Sequence, residues 1–377
     1  MTWTENAPLH VGRYFLLIVQ LSRGCQQFVK FFPECVLEHF HAVEWSATGV
    51  LVTVIRIDQT ALLHERVLYF AGARCELRTN YAALANMLDR FASQECNGVA
   101  NTFSMQIQVN EEAVEPEGAP HFRGLHHIVI ASFGQSNVFV FDLLRKNLSA
   151  YVSAVVACEV QFWKEKLIPI TLGVLGATMG LLPVHCACLA LDGEGLLVAG
   201  VSGAGKSTLS VAMSQMGFTF VSDDWTYISD QCGRIIAHGT SAPVKLLPDA
   251  MKHFRALEDL SLRTSMNGEL AYEVDAARAF GVHVQRDCEP RWLIFLERMQ
   301  QPGSELVTLS SRETRAYLDA SVERLPTQLL KAARRRDQLI TSISLLPCWS
   351  FRYGGSPQFA AEQLREFVAS QRQKAYQ

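Results

Sequence analysis

Several features that would identify common protein classes are scarce or missing in this 377-residue sequence. Its ten cysteines include no C-x-x-C pair, so the spacing typical of a metal or dithiol site is absent. The formal net charge is only −3, which excludes the basic excess of a nucleic-acid-binding or anionic-membrane-binding protein. No internal repeat occurs, which excludes a solenoid. We find no secretory leader and therefore expect a cytoplasmic protein with reduced thiols.

One long apolar stretch has to be weighed against a membrane span. Residues 167–184, LIPITLGVLGATMGLLPV, carry no charge and approach the lower length limit for a spanning helix. The stretch contains two prolines and three glycines and has no basic or aromatic flank at its C-terminal end. We therefore predict a buried helix packed on a sheet and no association with a membrane.

What the sequence does contain is a phosphate-binding pattern, in the run LLVAGVSGAGKSTLS at residues 196–210. An apolar strand enters the G-x-x-x-x-G-K-S motif and a helical pattern leaves it, which is the context that such a loop requires. The glycines let successive N–H groups point at phosphate oxygens, and the helix N-terminus adds partial positive charge. The alternative is a Gly/Ser turn that fits the pattern by chance. The residues predicted to hold the nucleotide are Gly200, Ser202, Gly203, Ala204, Gly205, Lys206, Ser207 and Thr208.

This pattern also predicts the cofactors. Lys206 is expected to reach the outer phosphates, and the Ser207 hydroxyl is expected to ligate Mg²⁺. We therefore expect ATP and Mg²⁺ to bind here.

A pair of carboxylates follows the loop closely. The short apolar strand Phe218–Ser222 is followed directly by Asp223 and Asp224, and Asp223 lies 23 residues after Gly200. In phosphate-binding loops of this kind an acidic residue at a neighbouring strand end holds Mg²⁺, and a second carboxylate can accept a proton from an attacking hydroxyl. A strand-ending turn capped by aspartate is the alternative.

These residues resemble a known family. The run from His185 to Ile228 resembles the core of the HPr kinase/phosphorylase-type kinases, which share a fold with phosphoenolpyruvate carboxykinase. In that family a histidine precedes the loop by one β-hairpin, and here His185 precedes Gly200 by 15 residues. The resemblance implies an α/β P-loop kinase domain of this fold, together with ATP as the phosphoryl donor.

The resemblance also implies roles for individual residues. Asp223 would be the general base or acid of phosphoryl transfer, beside the Lys206 that the loop motif already predicts to act on the outer phosphates. Asp224 and Ser207 would belong to the metal site. His185 would lie beside the catalytic carboxylate and hydrogen-bond Asp223 or the acceptor.

The sequence departs from the family after the aspartate pair. The E-I-R-G signature of the bacterial HPr kinases is missing, and residues 237–254 read AHGTSAPVKLLPDAMKHF instead. We therefore expect an HPr-kinase-related serine kinase whose acceptor is a serine-type hydroxyl on a peptide or small metabolite, in a bacterial biosynthetic pathway. A nucleotide-gated ATPase switch or regulatory binding protein without an acceptor stays open, as does a homo-oligomer. The absence of an LSGGQ-like signature argues against an ABC-type ATPase.

The chain divides into two predicted domains. Residues 1–155 read as a mixed α+β accessory domain that selects the acceptor, and residues 156–377 as the kinase domain. The predicted elements are strands at 15–21, 49–57, 126–131, 137–141, 291–297 and 345–353, and helices at 81–94, 311–324 and 357–373. Residues 267–290 are expected to form a mobile loop near the active site.

Weaker candidates remain in both parts. Arg286 and Arg291 flank the end of that loop, and either is a candidate for stabilising the charge of the transition state, with a surface ion pair as the alternative. The two histidine pairs, His39 with His41 and His126 with His127, lack a ligand partner at metal-binding spacing, so packing or surface roles are favoured.

Overall fold

A computed structural model of the chain describes residues 14–21, 29–33, 50–55, 57, 60–92, 102–111, 120–134, 136–240, 243–264, 268–321 and 329–375. Within these ranges the protein is mixed α/β and contains several sheets. No helix among these residues is long and apolar enough to cross a membrane. His39 and His41 lie outside the described residues.

The first half of the chain is dominated by strands. A three-stranded antiparallel sheet of order β2-β1-β3 comes first, followed by a seven-stranded sheet of order β4-β5-β6-β10-β9-β8-β7. The strands are β1 (Tyr14–Leu21), β2 (Val29–Pro33), β3 (Val50–Ile55), β4 (His64–Phe70), β5 (Ala73–Thr79), β6 (Thr102–Asn110), β7 (His121–Leu125), β8 (Ile128–Phe133), β9 (Asn137–Asp142) and β10 (Asn147–Ser153). Strand β6 alternates buried and partly exposed side chains along its length, as expected of a strand with one face on a core. Helix α1 (Ala82–Asp89) packs against β4 and β5.

Helical turns connect this sheet to the second half. They are α2 (Ala154–Cys158), α3 (Val160–Phe162), a π-helical segment at Trp163–Leu167, and α4 (Ile168–Met179). Helix α4 ends at Gly180, whose φ of 73° is the left-handed conformation that commonly terminates helices. Seven of its twelve residues are buried, so the apolar stretch forms a packed helix followed by a strand, as the sequence predicted.

The second half contains a nine-stranded sheet and a small three-stranded one. Its strands are β11 (Leu181–Val184), β12 (Cys186–Leu191), β13 (Glu194–Gly200), β14 (Thr219–Ser222), β15 (Thr226–Gln231), β16 (Arg234–His238), β17 (Val244–Leu246), β18 (Arg263–Thr264), β19 (Leu270–Val274), β20 (Asp287–Arg298), β21 (Gly303–Leu309) and β22 (Cys348–Gly354). The large sheet runs β11-β15-β16-β20-β13-β12-β14, and β22 also pairs with β20 and β21. The small sheet has the order β17-β19-β18.

Helices cover the large sheet. They are α5 (Lys206–Gln215), the five-residue α6 (Ala276–Phe280), α7 (Ser311–Ser321), α8 (Leu330–Ser344) and α9 (Pro357–Ala375). Helix α7 begins with a capping box, because the Ser310 hydroxyl accepts from the Glu313 N–H while the Glu313 carboxylate accepts from the Ser310 N–H. The prediction of a mobile loop at 267–290 was wrong, since most of this segment forms β19, α6 and the start of β20.

Three strands of the large sheet position the site. β13 and β20 run parallel with Gly200 opposite Leu296, and β22 runs parallel to β20 on its other side. Strand β13 is buried over Gly195–Ala199, as expected for a central strand covered on both faces. The loop that follows Gly200 therefore emerges at the carboxyl end of parallel strands, where ligands bind in open α/β sheets.

Candidate active site

The loop between β13 and α5 has the backbone conformation that its glycines permit. Gly200 and Gly205 have φ values of 148° and 92°, which side-chain-bearing residues rarely adopt. A Cβ on Gly200 would lie 2.9 Å from the Leu296 carbonyl oxygen, and one on Gly205 would lie 2.5 Å from the Tyr353 hydroxyl. The loop is therefore held against β20 and β22 so closely that only glycine fits at these two positions.

Lys206 closes over this loop from the first turn of α5. Its ammonium donates to the carbonyl oxygens of Gly200, at 2.9 Å, and Val201, at 3.3 Å. Burial lowers the pKa of Lys206, while the nearby charges of Asp224 and Asp223 oppose that change. The ammonium thus contacts the loop and is close enough to both aspartates to be affected by their charges, and phosphate oxygens bound in the loop would replace its carbonyl partners.

The other predicted loop residues line the same turn. Val201, Ser202 and Gly203 are exposed, Ala204 is buried, and Ser207 and Thr208 are half-buried at the start of α5. The sequence did not predict that Tyr353, on β22, helps to fix this turn. The buried Tyr353 hydroxyl donates to the Ala204 carbonyl oxygen at 3.1 Å. No local signal could have identified it, because Tyr353 lies on β22, far along the chain.

The aspartate pair occupies a break between two strands. The chain leaves β14 at Ser222 and enters β15 at Thr226, and the hydroxyls of these two residues lie 2.6 Å apart. Asp224 has a φ of 63°, which is uncommon for a residue with a side chain and marks a strained position. This turn directs both carboxylates toward the loop that contains Lys206.

His185 lies against Asp224 and not against Asp223, which corrects the contact expected from the sequence. Its Nε2 donates to Asp224 Oδ1 at 2.7 Å, and its ring lies 5.5 Å from that of Trp225. The reason is register, because Val184 pairs with Thr226 and so places the next residue, His185, beside the turn. About half of the Asp224 side chain (50%) and 37% of the His185 side chain remain exposed.

Asp223 is more enclosed than its neighbour. Its Oδ2 accepts from the Lys245 backbone N–H at 3.3 Å, and its Oδ1 is buried with no hydrogen-bond partner among the described residues. Burial raises the pKa of Asp223 to about 6, against the effect of the Ser207 hydroxyl that faces it. Partial burial acts to raise the pKa of Asp224, but the hydrogen bond and charge of His185, together with the charges of Lys245 and Lys206, hold that pKa below its ordinary value.

The enclosed carboxylate fits a divalent cation. A buried carboxylate oxygen without a partner is costly unless a cation or a donor reaches it. Asp223 Oδ1 is such an atom, and the hydroxyl that faces this carboxylate is that of Ser207, a hard oxygen ligand of the kind Mg²⁺ prefers. These two residues could hold Mg²⁺, with the phosphates and water completing its coordination.

A second carboxylate pair lies beside the site. Glu165, in the π-helical segment, faces Glu273 of β19 within hydrogen-bonding reach, and the Oε1 of each is buried with no hydrogen-bond partner in the described part of the chain. Glu273 pairs in register with Lys245, whose N–H binds Asp223, so the pair is two contacts away from the aspartates. Burial, together with Glu273, raises the pKa of Glu165 to about 7.

The two arginines suggested by the sequence do not join this group. Arg291 lies at the start of β20, far from the loop, and its Nη2 pairs with Glu289 at 3.1 Å. The Arg286 Nη1 instead donates to the Ala92 carbonyl oxygen at 2.9 Å. In the part of the chain that the structure describes, no group of three or more His, Cys, Asp or Glu side chains could hold a metal, and this includes the region of His126 and His127.

Comparison with known proteins gives limited information. No protein-family profile matches the chain, and no curated protein matches it. Among solved structures, the Hpr(Ser) kinase/phosphatase from Coxiella burnetii is similar with a TM-score of 0.30 and 16% sequence identity. That alignment covers 52% of this chain and 95% of the other.

Proposed function

We propose that this chain is a P-loop kinase of the HPr kinase-like type, which transfers the γ-phosphate of ATP to a hydroxyl group with the help of Mg²⁺. The observation that carries the proposal is the convergence of one ammonium, one hydroxyl and two carboxylates at the end of the central strands. The charges of both aspartates act on the Lys206 ammonium, and the Ser207 hydroxyl faces the Asp223 carboxylate. These groups are the positioning and charge-neutralising elements that phosphoryl transfer requires.

The contacts favour a division of labour opposite to the one expected from the sequence. Asp223, with its enclosed and unpartnered oxygen, and Ser207 are suited to hold Mg²⁺. Asp224 is half exposed and is oriented by His185, so it is the carboxylate that an incoming hydroxyl can reach. The accessibility of each carboxylate matters more for this assignment than its pKa does, because a base must first lie within hydrogen-bonding distance of the proton it accepts. Asp224 is therefore assigned as proton acceptor and His185 as its positioning residue.

Magnesium bound by Ser207 and Asp223 would neutralise charge on the phosphates of the nucleotide. The chain's own residues do the rest. The loop amides and Lys206 orient the phosphates, and Lys206 carries charge into a site partly withdrawn from water. Asp224 takes the proton of the attacking hydroxyl, and the imidazole of His185 keeps that carboxylate in one orientation.

The acceptor is a serine-type hydroxyl on a peptide or small metabolite. Residues 1–155, as an accessory domain, would select it. The π-helical segment leads from the seven-stranded sheet to the site and carries Glu165 close to the residues around Asp223. An acceptor held by the first half of the chain would thus have a short path to Asp224.

Product analysis tests this proposal. The protein is incubated with Mg²⁺, ATP and fractionated bacterial extract, and mass spectrometry searches for a new species heavier by one phosphoryl group. Lys206→Ala protein serves as the control in the same fractions. An acceptor-dependent phosphorylated product with the unmodified chain alone supports the kinase. ATP hydrolysis that no fraction accelerates would instead favour the nucleotide-gated switch, since water also reaches the half-exposed Asp224.

A further inference from the structure

A lone guanidinium lies beside the phosphate-binding loop. Arg298 is the last residue of β20, and its Cζ lies 4.7 Å from the ring centroid of Tyr353. Its Cα is paired in register with that of Tyr353, two residues beyond the pairing of Leu296 with Gly200. Because alternate residues of a strand share a face, Arg298 and Leu296 point to the same side of the sheet. That side is the one on which Leu296 packs with Ala204 of the loop.

The tyrosine connects this arginine to the loop. One end of the ring donates through its hydroxyl to the Ala204 carbonyl oxygen, and the guanidinium lies over the ring itself. An aromatic face attracts a guanidinium and limits its orientations, and a hydrogen bond from Arg298 to the Tyr353 hydroxyl uses one of its five N–H groups and leaves the others able to donate. The Tyr353 ring thus separates the Arg298 guanidinium from the turn that would surround the phosphates.

Among the described residues, Arg298 differs from neighbouring arginines because it has no carboxylate partner. Arg234, Arg291 and Arg352 on the same sheet each form an ion pair with a glutamate. Among the residues that the structure describes, no carboxylate lies within ion-pair distance of Arg298, although its side chain is exposed. An exposed, oriented and unpaired guanidinium beside an anion-binding loop is suited to a planar contact with phosphate oxygens.

We propose that Arg298 is a second cationic contact to the nucleotide's phosphates, alongside Lys206. The inference rests on the proposed function, since it needs the loop to bind a nucleotide. The sequence had suggested Arg286 or Arg291 for stabilising the charge of the transition state, whereas Arg298 is the arginine whose guanidinium contacts Tyr353 beside the loop. Lys206 approaches the phosphates from α5, whereas Arg298 approaches them from the carboxyl end of β20.

Binding measurements on the full-length chain test this inference. Isothermal titration compares ATP with inorganic tripolyphosphate, both with Mg²⁺, on the parent, Arg298→Gln and Arg298→Lys proteins. We expect Arg298→Gln to raise Kd by about 10-fold to 100-fold for both ligands, as for a lost hydrogen bond to a charged group. Arg298→Lys should fall between the two, because it keeps the charge but loses the planar pair of donors. Arg291→Gln is the matched control and should leave both Kd values unchanged.

The outcomes separate this inference from the proposal beneath it. A loss of affinity for ATP but not for tripolyphosphate would place Arg298 on the base or ribose and overturn the phosphate contact. An unchanged Kd in Arg298→Gln, with binding lost in Lys206→Ala, would overturn the inference and leave the nucleotide site standing. If both variants bind like the parent, the proposed function itself fails. Circular dichroism and melting temperature confirm that each variant is folded.

Discussion

Nε2 of His185 donates a 2.7 Å hydrogen bond to Oδ1 of Asp224, joining two interruptions of the large sheet. His185 separates β11 from β12, and Asp224 lies in the turn between β14 and β15. Since β11 pairs with β15 and β12 pairs with β14, the two breaks face each other. A strained aspartate and a half-exposed histidine are thereby fixed beside the loop between β13 and α5.

His185→Gln tests whether this contact serves the reaction or the fold. Glutamine keeps a donor of similar reach, so we expect the melting temperature to change little and kcat to fall, because the imidazole no longer orients Asp224. The control is His238→Gln, which removes a buried histidine that hydrogen-bonds Ser229 in the same sheet. That variant should lose stability and keep its rate per folded molecule. A large drop in melting temperature with normal kcat in His185→Gln would remove His185 from the site.

The two aspartates should respond differently to loss of charge. Asp223→Asn should raise the Mg²⁺ concentration needed for half-maximal rate, because it removes the enclosed carboxylate that faces Ser207. Asp224→Asn should keep that Mg²⁺ requirement and lose phosphoryl transfer by a factor on the order of 10²–10⁴, as for a lost general base. Rates measured across a Mg²⁺ titration at saturating ATP distinguish the two.

The opposite pattern would restore the roles expected from the sequence, with Asp223 as base and Asp224 on the metal. Identical behaviour of the two variants would show that the carboxylates do not divide the work. Substrate binding in both variants, measured separately, excludes a simple loss of the site.

The pH dependence of stability should report the buried Glu165. Burial and the facing Glu273 raise the pKa of Glu165 to about 7 from 4.5 in the unfolded chain, whereas Lys245 and Arg263 oppose that rise. As pH rises, the unfolded chain therefore releases the Glu165 proton at a lower pH than the folded protein does. The stability that this group contributes below pH 4.5 is lost as the pH rises through about 7. Glu165→Gln removes that loss. We expect the melting temperature of the variant minus that of the parent to be more positive at pH 8 than at pH 5.

A matched substitution checks the sign of this effect. The hydrogen bond from Arg234 lowers the pKa of Glu289, so this carboxylate is already ionised in both states above pH 5. Glu289→Gln should therefore shift the melting temperature equally at pH 5 and pH 8. A Glu165→Gln difference that is just as flat would mean that Glu165 is ionised in the folded protein throughout this range.

The local parts of the site were predictable from the sequence. The loop between β13 and α5 is one continuous segment whose conformation follows from its own glycines, and Asp223 and Asp224 follow it after one helix and one strand. The helices predicted at 357–373 and 311–324 are observed at Pro357–Ala375 and Ser311–Ser321 for the same reason, because their signals lie within a few residues.

The contacts between distant segments were not predictable. The partner of His185 depends on the register of Val184 against Thr226, and a shift of one residue would place a different side chain beside it. Tyr353 and Lys245 reach the site from strands far along the chain, and neither belongs to a motif. The sequence suggested Arg291 for the site, but it gave no indication that Arg291 lies at the start of β20, whereas the loop lies at the other end of that strand.

The binding of Mg²⁺–ATP to the parent and Lys206→Ala proteins, measured by isothermal titration, tests the central claim most directly. Lys206 is the buried ammonium that donates to the loop carbonyl oxygens and lies within the influence of both aspartate charges, so its loss should weaken binding about 100-fold or more and abolish turnover. Lys252→Ala, which removes an exposed lysine in the short helical turn at Pro248–Lys252, should bind like the parent. If folded Lys206→Ala protein binds Mg²⁺–ATP with the affinity of the parent, this loop is not the nucleotide site and the account is wrong.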